Sequence, residues 1–472
     1  MATLGIDFGS SFCTVSWNNP KSGKPEAVVF DGDAQVKLPS VMLATKEGFI
    51  LGFEAASYLE RLYKELPQVR MEYMGSFIPS LKRILDPSVT EFFFDKEYTH
   101  LDLLKIFFKH LIEQALLHCG SSYAVDKIVF SHPVDFSQAN IALMEQAFSE
   151  LGYSNIEKKY EPVSAVNGYG LDHLVKEGEG ILVFDFGGGT IDVAFVKNMH
   201  GEFKVATPPK GDSKCGGKDI DYLLYEHLRT TIQNEFNIDI SENGMIDYTI
   251  LDHCEELKKQ FKGNLDAYKI PIGLVVKGHP ETYNFRLSRE AFNNIIYQKV
   301  YDAVTVAKKV VQDVTSKKYK IDKVLMIGGS SQLKLLQELL AEVVGNAVIE
   351  TCGERDIVVA LGNAIENGIN KAVTNVSIEP SLSLTVDDAC TLTPNVTPPD
   401  AKTSFVWSSD NGNVASVSKS GVVKAKGVGT AIITVKTDYG ITANCKIMVS
   451  AKERTSSVIY KHNDDGKMHF DW

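Results

Sequence analysis

Phe184-Asp185-Phe186-Gly187-Gly188-Gly189-Thr190-Ile191-Asp192 decides how this chain is read. The apolar run Ile181 to Phe184 leads into it and Val193 to Val196 leads out, so the stretch reads as two strands joined by a glycine turn. Successive glycines permit backbone angles that side-chain-bearing residues avoid. They also leave backbone N–H groups uncovered, which makes a concave seat for an anion. Asp185 and Asp192 flank the turn and are suited to holding a hydrated Mg2+ against a phosphate. A glycine run alone also fits an ordinary hairpin.

The N-terminus repeats the pattern. Gly5-Ile6-Asp7-Phe8-Gly9-Ser10-Ser11-Phe12 runs into Cys13-Thr14-Val15, again strand, small-residue turn and strand. Asp7 answers to Asp185 and Gly9 to Gly187, with Ser10 and Ser11 near Gly188 and Gly189. Such internal similarity predicts two related halves facing each other across a cleft. Two phosphate-binding hairpins, each with an aspartate, would clamp a nucleotide and its metal from both sides.

The rest of the composition sets bounds. The 472 residues suffice for several domains, and 44% hydrophobic with 23% charged content is that of an ordinary globular protein. A net charge of −11 gives no sign of a broad nucleic-acid or anionic-membrane surface. Seven cysteines are scattered without Cys-x-x-Cys spacing, which favours reduced thiols over a disulfide framework or zinc site. No basic-then-apolar leader opens the sequence and no apolar run is long enough to span a bilayer, so the expected location is the cytoplasm.

Along the chain, strands are expected around Ala27–Phe30 and Val41–Ala44, then a helix from Gly52. An amphipathic helix follows over Leu101 to Cys119, with Leu104, Phe108, Leu111 and Ala115 on one stripe and Gly120 as its stop. A strand over Lys127–Ser131, a helix over Ser137–Leu151 and another opening at Glu161-Pro162 continue an α/β alternation. After the central hairpin come Gly216-Gly217, a helical region bearing Glu255, Lys258, Lys259 and Lys262, and a strand into Gly328-Gly329-Ser330 with a helix from Gln332. A small-residue helix starts at Asp356. From Val373 the texture changes to short alternating strands rich in Val, Thr and Ser, the pattern of a small β-sandwich. The expected division is residues 1–372, a sandwich over 373–451 and a flexible polar tail over 452–472.

From Gly5 to about Gly368 the chain resembles the nucleotide-binding domain of the 70-kDa heat-shock chaperone (DnaK-like) family, a branch of the actin and sugar-kinase superfamily. The collinear matches are Gly5–Gly9, Leu51-Gly52 with Ala55-Ala56, Lys82-Arg83, Pro133 with Phe136, Glu161-Pro162, Tyr169-Gly170-Leu171 and Asp185–Asp192. They continue through Gly216-Gly217 with Asp219 and Asp221, Glu255 with Lys258, Gly328–Ser330, and Asp356 with Ala360 and Gly362. Phe405–Ser409, Val414–Val417 and Gly421–Ala425 make the sandwich resemble the bacterial immunoglobulin-like group 2 module.

The resemblance implies a two-lobed actin-like ATPase fold with duplicated halves, ATP or ADP with Mg2+ as ligands, and hydrolysis by in-line attack of water. It implies Asp7 and Asp185 on the metal, Glu161 ordering its water shell, Lys82 orienting the attacking water, and Asp192 as auxiliary base or structural carboxylate. Gly9, Ser10, Ser11, Phe12, Gly187, Gly188, Gly189 and Thr190 would meet the phosphates. Gly216, Gly217, Glu255, Lys258, Lys259, Lys262, Gly328, Gly329, Ser330, Gln332 and Asp356 would complete the nucleotide pocket. Two arginines that usually sandwich adenine are here Lys259 and Gln332, and Val163 replaces a threonine. Neither an ammonium nor an amide stacks on a base as a guanidinium does, so adenine binding is expected to weaken by about 1 kcal/mol per lost partner, or base preference to change.

No acidic-apolar linker or peptide-binding domain is read after residue 370. The expected protein is therefore a slowly hydrolysing, chaperone-like switch acting on a protein partner through the immunoglobulin-like module or tail. A nucleotide sensor or scaffold with little turnover, a small-molecule kinase and a polymer-forming actin relative remain alternatives.

Overall fold

The computed structural model describes residues 2–19, 21–22, 24–30, 35–62, 76–120, 124–241, 246–351, 357–365, 373–399, 401 and 403–452. The chain divides into two units, Met1–Asn370 and Lys371–Trp472.

Two sheets with the same strand plan carry the first unit. In one, Lys24–Ala27, Phe12–Asn19, Ala2–Phe8, Val125–His132 and Ile156–Tyr160 lie in that order. In the other the order is Glu202–Val205, Ile191–Met199, Gly180–Phe186, Lys323–Ile327 and Val348–Thr351. Both run antiparallel through the hairpin and the outer strand, then parallel through the last two. Each parallel step needs a crossover, and the helices Gln138–Glu150 and Lys334–Val344 supply the equivalent ones. The sheets are covered on both faces, so their central strands are continuous apolar runs such as Ile181–Phe184, all buried.

The first lobe packs Phe8, Phe130 and Phe148 against Phe107 and Phe108 of the helix His100–Cys119, with Phe108 and Phe148 stacked at 4.2 Å. Thr99 and Asp102 form a reciprocal capping box at that helix's start, and Gly120 ends it at φ 96°. In the second lobe the helix Arg289–Ser316 lies on the sheet through Phe292, Ile296, Val300 and Ala303. The helices Glu161–Tyr169 and Val358–Asn363, equivalent in the two halves, cross each other between the sheets. A Cβ at Gly362 would lie 1.8 Å from Ser164 O, and one at Gly168 2.0 Å from Val358 O. Only glycine permits that approach. Asn363 then ties both lobes, donating to Ile6 O and Ser131 Oγ at 2.9 Å while its Oδ1 accepts from Ser164.

The second unit is all β. Ser381–Thr385, Thr442–Ser450, Gly429–Thr437 and Phe405–Ser409 form one sheet, and Ala389–Thr391, Val422–Ala425 and Ala415–Val417 another. Alternate residues Ala431, Ile433 and Val435 on one strand and Cys445, Ile447 and Val449 on its neighbour are buried, as a half-covered sheet requires. Cys390 and Cys445 stand on different sheets in one core, and both are free thiols.

Three local expectations change. The glycine turn 187–189 has no left-handed residue, so Gly188 and Gly189 serve close approach rather than unusual backbone angles. The strand expected at Ala27–Phe30 is Lys24–Ala27, with Val28 N–H adding a bond to Val15 O. The helix expected from Gln332 begins at Lys334, because a 3-10 turn, Gly329–Gln332, and an extended Leu333 intervene. Asp356 and the tail beyond Lys452 lie outside the described residues.

Candidate nucleotide site

The paired glycine-bearing turns come from equivalent places. Phe8 pairs with Cys13 and Phe186 with Ile191, closing turns of equal length. One residue further out, Asp7 pairs with Thr14 and Asp185 with Asp192. The turns meet: a Cβ on Gly188 would lie 2.6 Å from Ser11 Oγ.

Their carbonyl groups are tied back. Gly187 O accepts from Gly217 N–H and from Ser330 Oγ, each at 3.0 Å. Gly188 O accepts from Lys218 N–H at 2.7 Å, and Gly189 O from Arg83 Nη2 at 2.7 Å. In a trans peptide the carbonyl and the next N–H point in opposite directions. The N–H groups of Gly188, Gly189 and Thr190 therefore point away from the groups holding those carbonyls, and no acceptor among the described residues takes them up. Such a run of free N–H groups is an anion nest. In the first turn Ser40 plays this part alone, its Oγ donating to Gly9 O at 2.8 Å and its N–H to Ser11 O at 2.9 Å.

Beside the turns lies a cluster of acids around one lysine. Lys82 Nζ stands 2.7 Å from Glu161 Oε1, and both side chains are buried. Burial, reinforced by Glu161, raises the Asp7 carboxyl to about 7, against a lowering by Lys82. Burial, with Glu161 and Asp7, raises Asp185 to about 8. Burial, Glu161 and Asp135 hold Asp192 well above the ordinary range, and its Oδ1 has no hydrogen-bond partner. Burial depresses Lys82, but Glu161 and Asp7 outweigh it and keep the ammonium above the usual lysine value.

Four carboxyl groups facing one cation fit a divalent ion, and the orphaned Asp192 oxygen fits a missing partner. Among the described residues no three His, Cys, Asp or Glu side chains are arranged to ligate an ion directly. That suits Mg2+, which keeps most of its waters and leans on one or two carboxylates plus phosphate oxygens.

The remaining sequence candidates divide. Gly216, Gly217, Gly328, Ser330 and Lys258 join the second turn. A Cβ on Gly216 would lie 2.4 Å from Gly189 C, one on Gly217 2.3 Å from Ser330 Oγ, and one on Gly328 2.6 Å from Asp185 Oδ1. Lys258 Nζ donates to Asp221 Oδ2 at 2.8 Å and Gly217 O at 3.0 Å, inside the protein. Gly329 has open space where a Cβ would stand. The basic helix does not present one face: Lys258 turns inward, whereas Lys259 is exposed and paired with Glu255 at 3.3 Å and Glu256 at 2.7 Å. Lys262 falls past the helix end at Gln260. Gln332 is half-buried at the end of its 3-10 turn. Phe12 is exposed, with Lys37 Nζ 5.8 Å from its ring centre. Sequence reading gave no role to Ser40 or Arg83; Ser40 carries no motif, and Arg83 showed only as the neighbour of Lys82.

A duplicated lobe, each with an aspartate strand and a turn of tied-back carbonyls, defines the actin-like class of two-lobed nucleotide-binding folds. The Hsp70 protein family model matches residues 82–400, and this chain belongs to that family. The model of the bacterial Ig-like domain (group 2) matches residues 372–446. The chaperone protein DnaK of Ureaplasma parvum serovar 3 is 30% identical over 375 residues, 78% of this chain and 58% of that protein. DnaK of Ureaplasma urealyticum serovar 10 shows the same identity and coverage, so this chain spans little more than half the length of these relatives.

Proposed function

We propose that the chain is an ATP-binding, slowly hydrolysing, chaperone-like switch whose lobes close on Mg2+-ATP and whose immunoglobulin-like module contacts a protein partner. The observation that carries this reading is the Lys82–Glu161 ion pair set among Asp7, Asp185 and Asp192 beside two anion nests. Mg2+, when bound, neutralises charge on the phosphates. Asp7 and Asp185 would be the residues that hold it. Glu161 fixes the Lys82 ammonium, which stays protonated and so orients the attacking water and offsets phosphate charge rather than acting as a base. Asp192, whose Oδ1 has no hydrogen-bond partner, would accept the proton that water releases once a bound cation favours its ionised form.

Single-turnover ATP hydrolysis by wild type and Lys82→Ala tests this. A loss of about 100-fold is expected for removing one positioned charge, and equal rates would remove Lys82 from the mechanism. A sensor with little turnover is the second reading, favoured by the base side, where Lys259 is engaged by Glu255 and Glu256 and Gln332 stands in for a stacking arginine. Tight ATP binding by calorimetry without phosphate release would decide for it.

A further inference from the structure

The two anion nests are held differently. In the first lobe both tied carbonyls, Gly9 O and Ser11 O, are held by Ser40 of the same lobe. In the second lobe, Gly187 O and Gly188 O are held from within, by Gly217, Ser330 and Lys218. The last, Gly189 O, is not. Its partner is Arg83, on the short helix Leu81–Ile84 of the first lobe.

Arg83 reaches across the cleft with one planar group. Nη2 donates to Gly189 O at 2.7 Å and to Ser213 O at 3.1 Å, on two separate loops of the second lobe. The guanidinium lies so close that a Cβ on Gly189 would stand 3.0 Å from Nε and 3.1 Å from Cζ. Its neighbour Lys218 supplies no counter-charge; burial and then Arg83 itself push the Lys218 ammonium below the usual lysine value. Among the described residues Arg83 is thus held in place by backbone carbonyls rather than by an acid, and its bond fixes the plane of the Gly189–Thr190 peptide.

The geometry points to Arg83 as a positioning residue that completes the second lobe's anion nest from the first lobe, so that the Thr190 N–H is set for an anion only when the cleft is closed. This deepens the switch proposed above and rests on it for its function, but the structural coupling stands whether or not ATP is hydrolysed. Lys82 and Arg83 are neighbours with separate tasks: Lys82 faces the acid cluster and Arg83 shapes the peptide that faces the anion. An arginine suits the second task because its planar Nη2 carries two hydrogens in fixed directions, one for each carbonyl, whereas a lysine ammonium turns freely about its stem.

Two measurements on the full chain test it. In nucleotide-free protein, amide exchange of the segment 187–192 in Arg83→Ala is expected to rise at least tenfold over wild type, with Arg83→Lys in between. Exchange in the helix His100–Cys119, far along the first-lobe core, should stay unchanged and shows that the variant is folded. Unchanged exchange at 187–192 would overturn the coupling. In turnover, Arg83→Ala is expected to lower kcat about tenfold with KM within threefold, and millimolar guanidinium ion to restore part of kcat. A wild-type kcat in Arg83→Ala, or no rescue, would overturn the positioning role. If wild type itself binds nucleotide without turnover, the ATPase reading fails, and the exchange result alone decides the coupling.

Discussion

Asp7 and Asp185 are carboxyl groups that the fold holds protonated up to about pH 7 and 8. Between their ordinary value of 3.8 and those values the folded protein binds more protons than the unfolded chain, so stability falls as pH rises through this window. The slope is at most about 1.4 kcal/mol per pH unit for each group. Urea denaturation of metal-free, nucleotide-free protein is therefore expected to give a lower midpoint at pH 8 than at pH 6. Excess Mg2+ should shrink that difference by favouring the ionised acids, and a midpoint that rises with pH would contradict the assignment of these groups. Lys258 makes a second residue-level prediction. Lys258→Ala removes the partner of Asp221 Oδ2, leaving a buried carboxyl whose Oδ1 is already without a partner. The expected cost is about 3 kcal/mol in urea denaturation, the usual consequence of stranding a buried charge.

Among the elements, the glycine turns are governed by contact. Gly188→Ala places a methyl against Ser11 Oγ of the opposing turn, so turnover should fall while the melting temperature moves by only a few degrees. Because the obstacle is one hydroxyl, Ser11→Ala in the same chain is expected to restore part of the rate; strict additivity of the two losses would argue against contact between the turns. Gly362→Ala differs, since its methyl meets a backbone oxygen at 1.8 Å and neither helix can yield. It is expected to destabilise the first unit by about 3 kcal/mol or more, measured by thermal unfolding.

The same turns show how far sequence carries. Asp7 and Asp185 could be matched from text because both follow an apolar strand and precede a small-residue turn, and their register agrees. The reason for the glycines could not be, since Gly188 and Gly216 answer to Ser11 and Gly189, far away in the chain. Arg83 was illegible on the same ground: its partners, Gly189 O and Ser213 O, are backbone atoms with no side-chain signature. Lys258 and Lys259 looked alike in sequence, and only the helix's rotation sends one inward and the other to Glu255.

At the scale of the whole molecule, the two units have separate cores. The second encloses Leu392, Val423, Ile433, Cys445 and Ile447, with Trp407 packed against them. Residues 371–452 expressed alone should therefore unfold cooperatively, with Trp407 as the optical probe. In the full chain, Mg2+-ADP at about a hundred times its Kd should stabilise only the first unit, by about 2.7 kcal/mol. A shift of both transitions together would mean that the units unfold as one.

The glycine-to-backbone crossing of Glu161–Tyr169 over Val358–Asn363 has a mechanical meaning. Backbones in direct contact, without side chains to flex between them, make an axle with little play, so the halves can swivel there more readily than slide. One shaft of that axle is also the last described helix before the boundary at Asn370. Whatever angle the cleft adopts is accordingly shared by Val358–Asn363 itself.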